Sequence, residues 1–352
     1  MRFRLAFLTV PLLLLTACGG EAATTDAAEE VSATPDDAAT EETSASEAED
    51  TSDAIEEDDA SDAAEATGED EEQRALPVTV TDADGNEVTI EDTSRIVSLT
   101  GTTTEIIHAL GLLDAVVAVD TSSIYPEEAT ELPDVGYQRA LNAEGIIEMD
   151  PTLVLGTEAA GPPEVIDQLR ATGVPTVRFA HEDSLDTPAQ RIMDVATALG
   201  VPERGEELAA EVEAAIAAAV ELGEQQTAQP RAAFIYFRGP ETMFLGGSGS
   251  VSQLMLEAAG AVDAGAEAGV EGTVPLTPEA LADAAPEVIV VPAASLGPAG
   301  GVEGILGLPG VAQTPAGEAG RVVAVDDGAL LGLGPRTAEA LNALISQLHT
   351  AG

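Results

Sequence analysis

Lysine is absent from this 352-residue chain, tryptophan is absent, and cysteine occurs once, at Cys18. Only three histidines are present, His108, His181 and His349, and tyrosine also occurs three times. The 13 basic residues, all arginines, face 64 acidic ones, for a formal charge of −51. Each scarcity excludes something. A nucleic-acid partner needs a basic footprint that this chain lacks. The same shortage argues against a direct grip on anionic lipid headgroups. One cysteine cannot form a disulfide within the chain, and no cysteine cluster can hold zinc or an iron–sulfur centre. The histidines stand far apart with no ligand spacing. No HExxH, Walker loop or nucleophile elbow is present, so the reading is a protein that is not an enzyme. Self-repulsion at this charge favours a salty exterior, where screening is strong.

The single cysteine has a place in the N-terminal pattern. Arg2 and Arg4 precede an apolar run over 5–15, followed by Leu15-Thr16-Ala17-Cys18-Gly19. A short basic region, an apolar core and small residues before a cut site make a secretory signal. The run is too short to remain as a transmembrane helix. Leu-Thr-Ala-Cys resembles a bacterial lipoprotein signal. That resemblance implies removal of residues 1–17, a diacylglycerol on the Cys18 sulfur, and attachment to the extracytoplasmic face of the cell membrane through the lipid alone. Residues 18–75 then form a tether. Over 19–74 there are 22 acidic residues and one arginine, with almost nothing large. Such a segment cannot bury enough apolar surface to offset its ordering entropy, and its like charges extend it.

The folded part is expected over 76–352. Alternating Val78, Val80, Val88 and Ile90 around Asp84-Gly85-Asn86 predict a hairpin. Short apolar strands then alternate with helices, which predicts α/β layers with parallel sheets covered on both faces. The expected division is an N-terminal α/β lobe over 76–185, an interlobe helical region over 186–228 and a C-terminal α/β lobe over 229–352. The stretch 204–223 is rich in Ala, Glu and Leu and predicts a stiff strut. The halves echo one another: residues 141–156 align with 276–291 without a gap, with Leu, Glu and Pro coinciding. Two Rossmann-like lobes with a ligand cleft between them follow, the ligand lying beyond the carboxyl ends of strands.

Two of the three tyrosines share a local pattern, one in each half. They are Gly136-Tyr137-Gln138-Arg139 and Tyr236-Phe237-Arg238-Gly239. In extended chain, residues i and i+2 point the same way, so each tyrosine is accompanied by an arginine. A phenol has a reference pKa near ~10. A neighbouring guanidinium favours the phenolate, a hard anionic ligand suited to ferric iron. Arginine also pairs with a propionate in bidentate fashion. The competing reading makes both tyrosines core-edge aromatics and both arginines surface charges. The loop Gly246-Gly247-Ser248-Gly249-Ser250 before a helix is either a turn or an anion-binding nest.

At these residues the chain resembles the haem branch of the class III substrate-binding proteins of bacterial ABC importers. The resemblance rests on Leu132-Pro-Asp-Val-Gly-Tyr137-Gln-Arg-Ala-Leu-Asn-Ala-Glu-Gly145 and on Gly332-Leu-Gly-Pro-Arg-Thr-Ala-Glu-Ala340, and covers residues 76–352. It implies a monomer of the class III periplasmic-binding-protein fold with a rigid interlobe helix. This monomer would capture haem b, as Fe(III), for an ABC permease and its ATPase. It implies Tyr137 as an axial ligand. In actinobacterial relatives a histidine holds this first position, and a tyrosine with a supporting arginine two residues on completes the site, which Tyr236 and Arg238 match. Bis-tyrosine and single ligation both stay open, as does the division of phenolate and propionate between Arg139 and Arg238. The resemblance further implies permease docking through Glu105 and Glu257. Ferric-siderophore or cobalamin binding on the same fold is the alternative.

Overall fold

The computed structural model describes residues 74–349. The expected signal segment, Cys18 and nearly all of the expected tether lie outside them. The chain opens with the expected hairpin. Strands β1 (Val78–Thr81) and β2 (Glu87–Ile90) pair antiparallel, with Val80 opposite Val88. At the turn the Asp82 carboxylate accepts bonds from the Asp84 and Asn86 amides at 2.9 and 2.8 Å. Gly85 adopts φ +81, a left-handed conformation open to glycine without a Cβ penalty. The turn is clamped onto the first lobe. Arg170 donates to both Asp82 and Asp84, and Arg178 donates to Asp84 at 2.7 Å.

The first lobe is a four-stranded parallel sheet of order β4-β3-β5-β6. Its strands are β3 (Ile96–Ser98), β4 (Val116–Val119), β5 (Leu153–Thr157) and β6 (Thr176–Phe179). The helices between them are α1 (Gly101–Ala109), α2 (Ala143–Ile147) and α3 (Pro163–Ala171). These strands are apolar on both faces because helices cover both. Next come α4 (Thr187–Ala198) and α5 (Pro202–Glu224). Helix α5 has 23 residues, about 34 Å at 1.5 Å per residue. Its buried residues Gly205, Ala209, Val212, Ile216, Ala219 and Gly223 fall on one stripe. Small residues at both ends let the backbone sit close. A Cβ on Gly205 would lie 2.4 Å from Ala196, and one on Gly223 would lie 2.2 Å from the Ala258 carbonyl.

The second lobe is built on β7 (Arg231–Gly239), β8 (Thr242–Gly246), β9 (Val262–Asp263), β10 (Thr273–Pro275), β11 (Val288–Pro292) and β12 (Val322–Val325). Its helices include α6 (Val251–Ala258), α7 (Pro278–Ala284), α8 (Asp327–Leu331) and α9 (Thr337–His349). The sheet order is β10-β8-β7-β11-β12, with β9 paired to β7. Strands β7, β11 and β12 run parallel, but β8 runs antiparallel to both of its neighbours, β7 and β10. The expected all-parallel pattern therefore holds in the first lobe only. The cause is local. Gly239, at φ +133, turns β7 straight back into β8, leaving no crossover helix between them. Helix α5 packs on α4 at one end and on α6 and α9 at the other. A single apolar cluster runs from Ile106 and Leu153 through Val212 and Ile216 to Val290 and Leu341, so both lobes share one core along the strut.

The bonds from Arg178 and Arg170 hold the Asp84 carboxyl below its ordinary 3.8. A depressed carboxyl contributes stability above the unfolded pKa and loses it as pH falls through the folded one. Asp84→Asn should therefore lower the unfolding temperature at pH 7. The difference from wild type should close progressively below about pH 4, as read by circular dichroism melts across pH. A pH-independent gap would show that the clamp does not titrate through Asp84.

Candidate functional site

The segment carrying Tyr137 hangs from the carboxyl edge of the first sheet. Its base is a buried polar network at the ends of β3 and β4. Ser98, Thr104 and Ser123 are linked at 2.8 Å, and Ser123 donates to Asp120 at 2.8 Å. Burial pushes the Asp120 carboxyl up, against bonds from Ser122 and Ser123. Beyond it the backbone around Tyr137 is pinned on both sides. Gly136 takes φ +100, its N–H donates to Asp134 at 2.7 Å, and its carbonyl accepts from Thr121 at 3.1 Å. The Ala140 amide donates to the Tyr137 carbonyl at 2.7 Å. Gly161, beyond the carboxyl end of β5, donates to the Gln138 carbonyl at 2.8 Å. The frame is held while the Tyr137 side chain stands 50% exposed.

Tyr236 and Arg238 lie near the carboxyl end of β7, with Tyr236 paired to Phe244 across β8. Tyr236 is partly buried against the shared apolar cluster. The Arg238 guanidinium sits 4.9 Å from the centre of the Tyr236 ring, as i and i+2 on one face require. Arg238 also donates to Asp327, at the start of α8 just past the end of β12. Each lobe thus offers its tyrosine at the carboxyl edge of its sheet, where open α/β folds bind ligands.

The scarce arginines sort themselves. Among the described residues, Arg139 has no hydrogen bond or ion pair and stands exposed, while each of the other arginines is engaged. The histidines are also engaged locally. His181 bonds Asp194 at 3.0 Å, His349 bonds the Ala259 carbonyl at 2.9 Å, and His108 meets Tyr125 edge-on at 6.1 Å between ring centres. The glycine loop before α6 is a turn and not a nest. Gly247 and Ser248 donate to Gly272 and Val270, and Gly249 donates to the Gln253 side chain at 2.7 Å.

Glu105, expected as the docking acid of the first lobe, is 6% exposed on α1. Arg336, from the segment between α8 and α9, grips both of its oxygens at 2.5 and 3.2 Å. The same guanidinium lies 3.9 Å from the centre of the Tyr125 ring and reaches Asp326 at 3.0 Å. The pair therefore joins the two lobes. Arg191 of α4 reinforces it by donating to the Gly332 carbonyl at 2.5 Å, and Thr102 donates there at 3.2 Å. Glu257 on α6 is exposed and, among the described residues, accepts a bond from Gln253, one turn earlier. The aligned stretches hold a pair that the residue-by-residue reading passed over. Glu144 and Glu279 occupy matching positions, both exposed, in the first turns of α2 and α7. The signal was their coincidence in the gapless alignment.

Residues 96–329 match the sequence pattern of the periplasmic binding protein family. The chain belongs to that family. Among solved structures of the family fold, it is similar to the periplasmic heme-binding protein RhuT from Roseiflexus sp. RS-1. The two are 49% identical over 73% of this chain and 99% of RhuT, with a TM-score of 0.70. It is 38% identical to the heme-binding protein HmuT over 79% of this chain and 92% of that one, with a TM-score of 0.73. It is 36% identical to BhuT, solved with two hemes, over 72% of this chain and 97% of BhuT, with a TM-score of 0.67. These matches carry the class III fold of two lobes and a cleft. Curated relatives include the uncharacterized substrate-binding lipoprotein YvrC of Bacillus subtilis, 33% identical over 39% of this chain. A vitamin B12-binding protein of Vibrio campbellii is 30% identical over 46% of this chain. The chain spans about half the length of these curated relatives, 45% and 56%.

In this periplasmic binding protein, burial raises the Glu105 carboxyl against the opposing pull of Arg336. Arg336→Met would leave that carboxyl buried and unpaired, at a cost of about 3–5 kcal/mol. A carboxyl whose folded pKa is raised destabilises increasingly as pH rises. The loss measured by denaturant unfolding should therefore be larger at pH 8 than at pH 5. Adding Glu105→Leu should recover most of it. Equal losses at both pH values would contradict this account of the lobe junction.

Proposed function

We propose that this chain captures ferric haem outside the cell and delivers it to the permease of an ABC importer, without transforming it. The observation that carries the reading is a tyrosine at the carboxyl edge of each lobe's sheet. It is supported by identities of 36–49% to three heme-binding proteins. Tyr137 and Tyr236 are the iron ligands of this reading. Arg238 lies against the Tyr236 ring and is held there by Asp327. Arg139 has the freedom and exposure to pair with a propionate. Among the described residues no cluster of three or more His, Cys, Asp or Glu is placed to hold a bare metal ion. A metal bearing its own macrocycle needs only axial donors from the protein.

Hemin added to purified protein should give a Soret band and a ferric-tyrosinate spectrum. Tyr137→Phe or Tyr236→Phe should weaken affinity by at least about tenfold, the scale of losing a supporting group at a metal. The double variant should lose the tyrosinate signature. A spectrum unchanged in the double variant would sink the ligation. The curated relative that binds vitamin B12 favours a second reading, cobalamin on the same fold. It aligns over a smaller share of this chain than the heme-binding structures do. Calorimetric binding of cyanocobalamin without any hemin spectrum would establish that reading instead.

Lipidation of Cys18 and a reach set by the acidic tether complete the proposal, placing the protein at the cell membrane beside its permease. With Glu105 buried, docking falls to exposed acids: Glu257, and the matched pair Glu144 and Glu279, one on each lobe. Charges at such a rim act mainly on the encounter rate. Glu144→Arg with Glu279→Arg should reduce stimulation of the permease ATPase in proteoliposomes and leave the hemin spectrum intact. Full stimulation by that variant would leave docking to Glu257 or elsewhere.

A further inference from the structure

Arg238 does not lie over the Tyr236 ring unaided. Among the described residues Asp327 is its one carboxylate partner, and the Asp327 side chain is 16% exposed against 33% for Arg238. Asp327 is itself held from a second direction. Its Oδ1 accepts the Ala294 amide at 3.1 Å, just past the carboxyl end of β11. Its neighbour Asp326 caps α8 by accepting the Ala329 amide at 2.9 Å, and reaches Arg336 of the lobe junction at 3.0 Å. One carboxylate therefore ties together the ends of β7, β11 and β12, and its backbone is fixed by the residue before it.

We infer that Asp327 is a positioning residue for the ligand site. It holds the Arg238 guanidinium against Tyr236, so the arginine supports the tyrosine as an iron ligand without first being ordered. This inference rests on the haem reading above. The physical reason is pre-organisation. An arginine a third exposed on a flexible stem would otherwise disperse into solvent, and ordering it on binding would cost affinity. Asp327 touches neither the phenol nor the iron in this account; it acts through Arg238. Its place could not be read from the chain, since 89 residues separate it from its partner.

The test is a double-mutant cycle on the hemin complex of the full folded chain. Hemin release is followed with apomyoglobin as acceptor, and the ferric-tyrosinate charge-transfer band is recorded alongside. Asp327→Ala should speed release roughly tenfold, the scale of one charge-assisted hydrogen bond. It should also move the band in the same direction as Arg238→Ala does. Asp327→Asn, which keeps the shape and an acceptor oxygen, should recover part of both effects. It also serves as the probe if the alanine variant fails to fold. The combined Arg238→Ala and Asp327→Ala variant should be no worse than Arg238→Ala alone. Additive losses in the combined variant would overturn the inference. So would a wild-type tyrosinate band that the Asp327 variants leave unmoved, with the haem reading then intact. A wild-type complex with no tyrosinate band would overturn the haem reading and this inference together.

Discussion

The spacing of the two tyrosine platforms depends on how the lobes are joined, and that junction centres on one ion pair. Arg336 comes from the second lobe and closes on Glu105 of the first with both oxygens engaged. Tyr125 lies against the guanidinium face. Around it the backbone is drawn unusually close. A Cβ on Gly332 would meet the Thr102 hydroxyl at 2.9 Å, and Leu333 is held at φ +45. A buried pair of this kind is weak evidence for net stability, but losing one partner is costly. Its use here is geometric. With helix α5 and the shared apolar cluster on one side and Arg336 and Arg191 on the other, the lobes have little freedom to slide. The carboxyl edges that bear Tyr137 and Tyr236 inherit that rigidity.

The charge imbalance gives the arginines unusual meaning. In a chain with 64 acidic residues against 13 basic ones, carboxylates compete for every guanidinium. Arg170 and Arg178 clamp the hairpin, Arg336 and Arg191 join the lobes, and Arg238 is shared between Tyr236 and Asp327. Arg139 is left in solvent beside Tyr137. A free arginine on so acidic a surface is a specific feature, and it suits a ligand that brings its own carboxylates. The same acidity keeps self-repulsion high, which favours a screened exterior.

Much of the site was legible because its signals are local. Tyr236 and Arg238 are two residues apart on a strand, and period-two geometry pairs them without knowledge of the fold, whereas Tyr137 and Arg139 lie on a turn, where that geometry does not hold. Strands such as 153–157 and the strut declared themselves by apolar runs and spacing. What failed to show was long-range. Glu105 looks like any exposed helical acid until Arg336, 231 residues later, covers it. The antiparallel β8 was hidden because its composition matches a parallel core strand. Only the direction taken by the chain at Gly239 separates the two.

The amino-acid order alone determined the class of fold, the pairing of Tyr236 with Arg238, the absence of a nucleic-acid footprint and the doubled lobe. These rest on periodicity, composition and neighbours within a few residues, where backbone geometry dictates the outcome. Tertiary structure decided which acids face solvent, which arginine stays free and how Arg238 is held. Those outcomes depend on contacts between residues far apart in the chain. Burial and ion pairing, unlike helix or strand period, have no signature until the lobes have closed on each other.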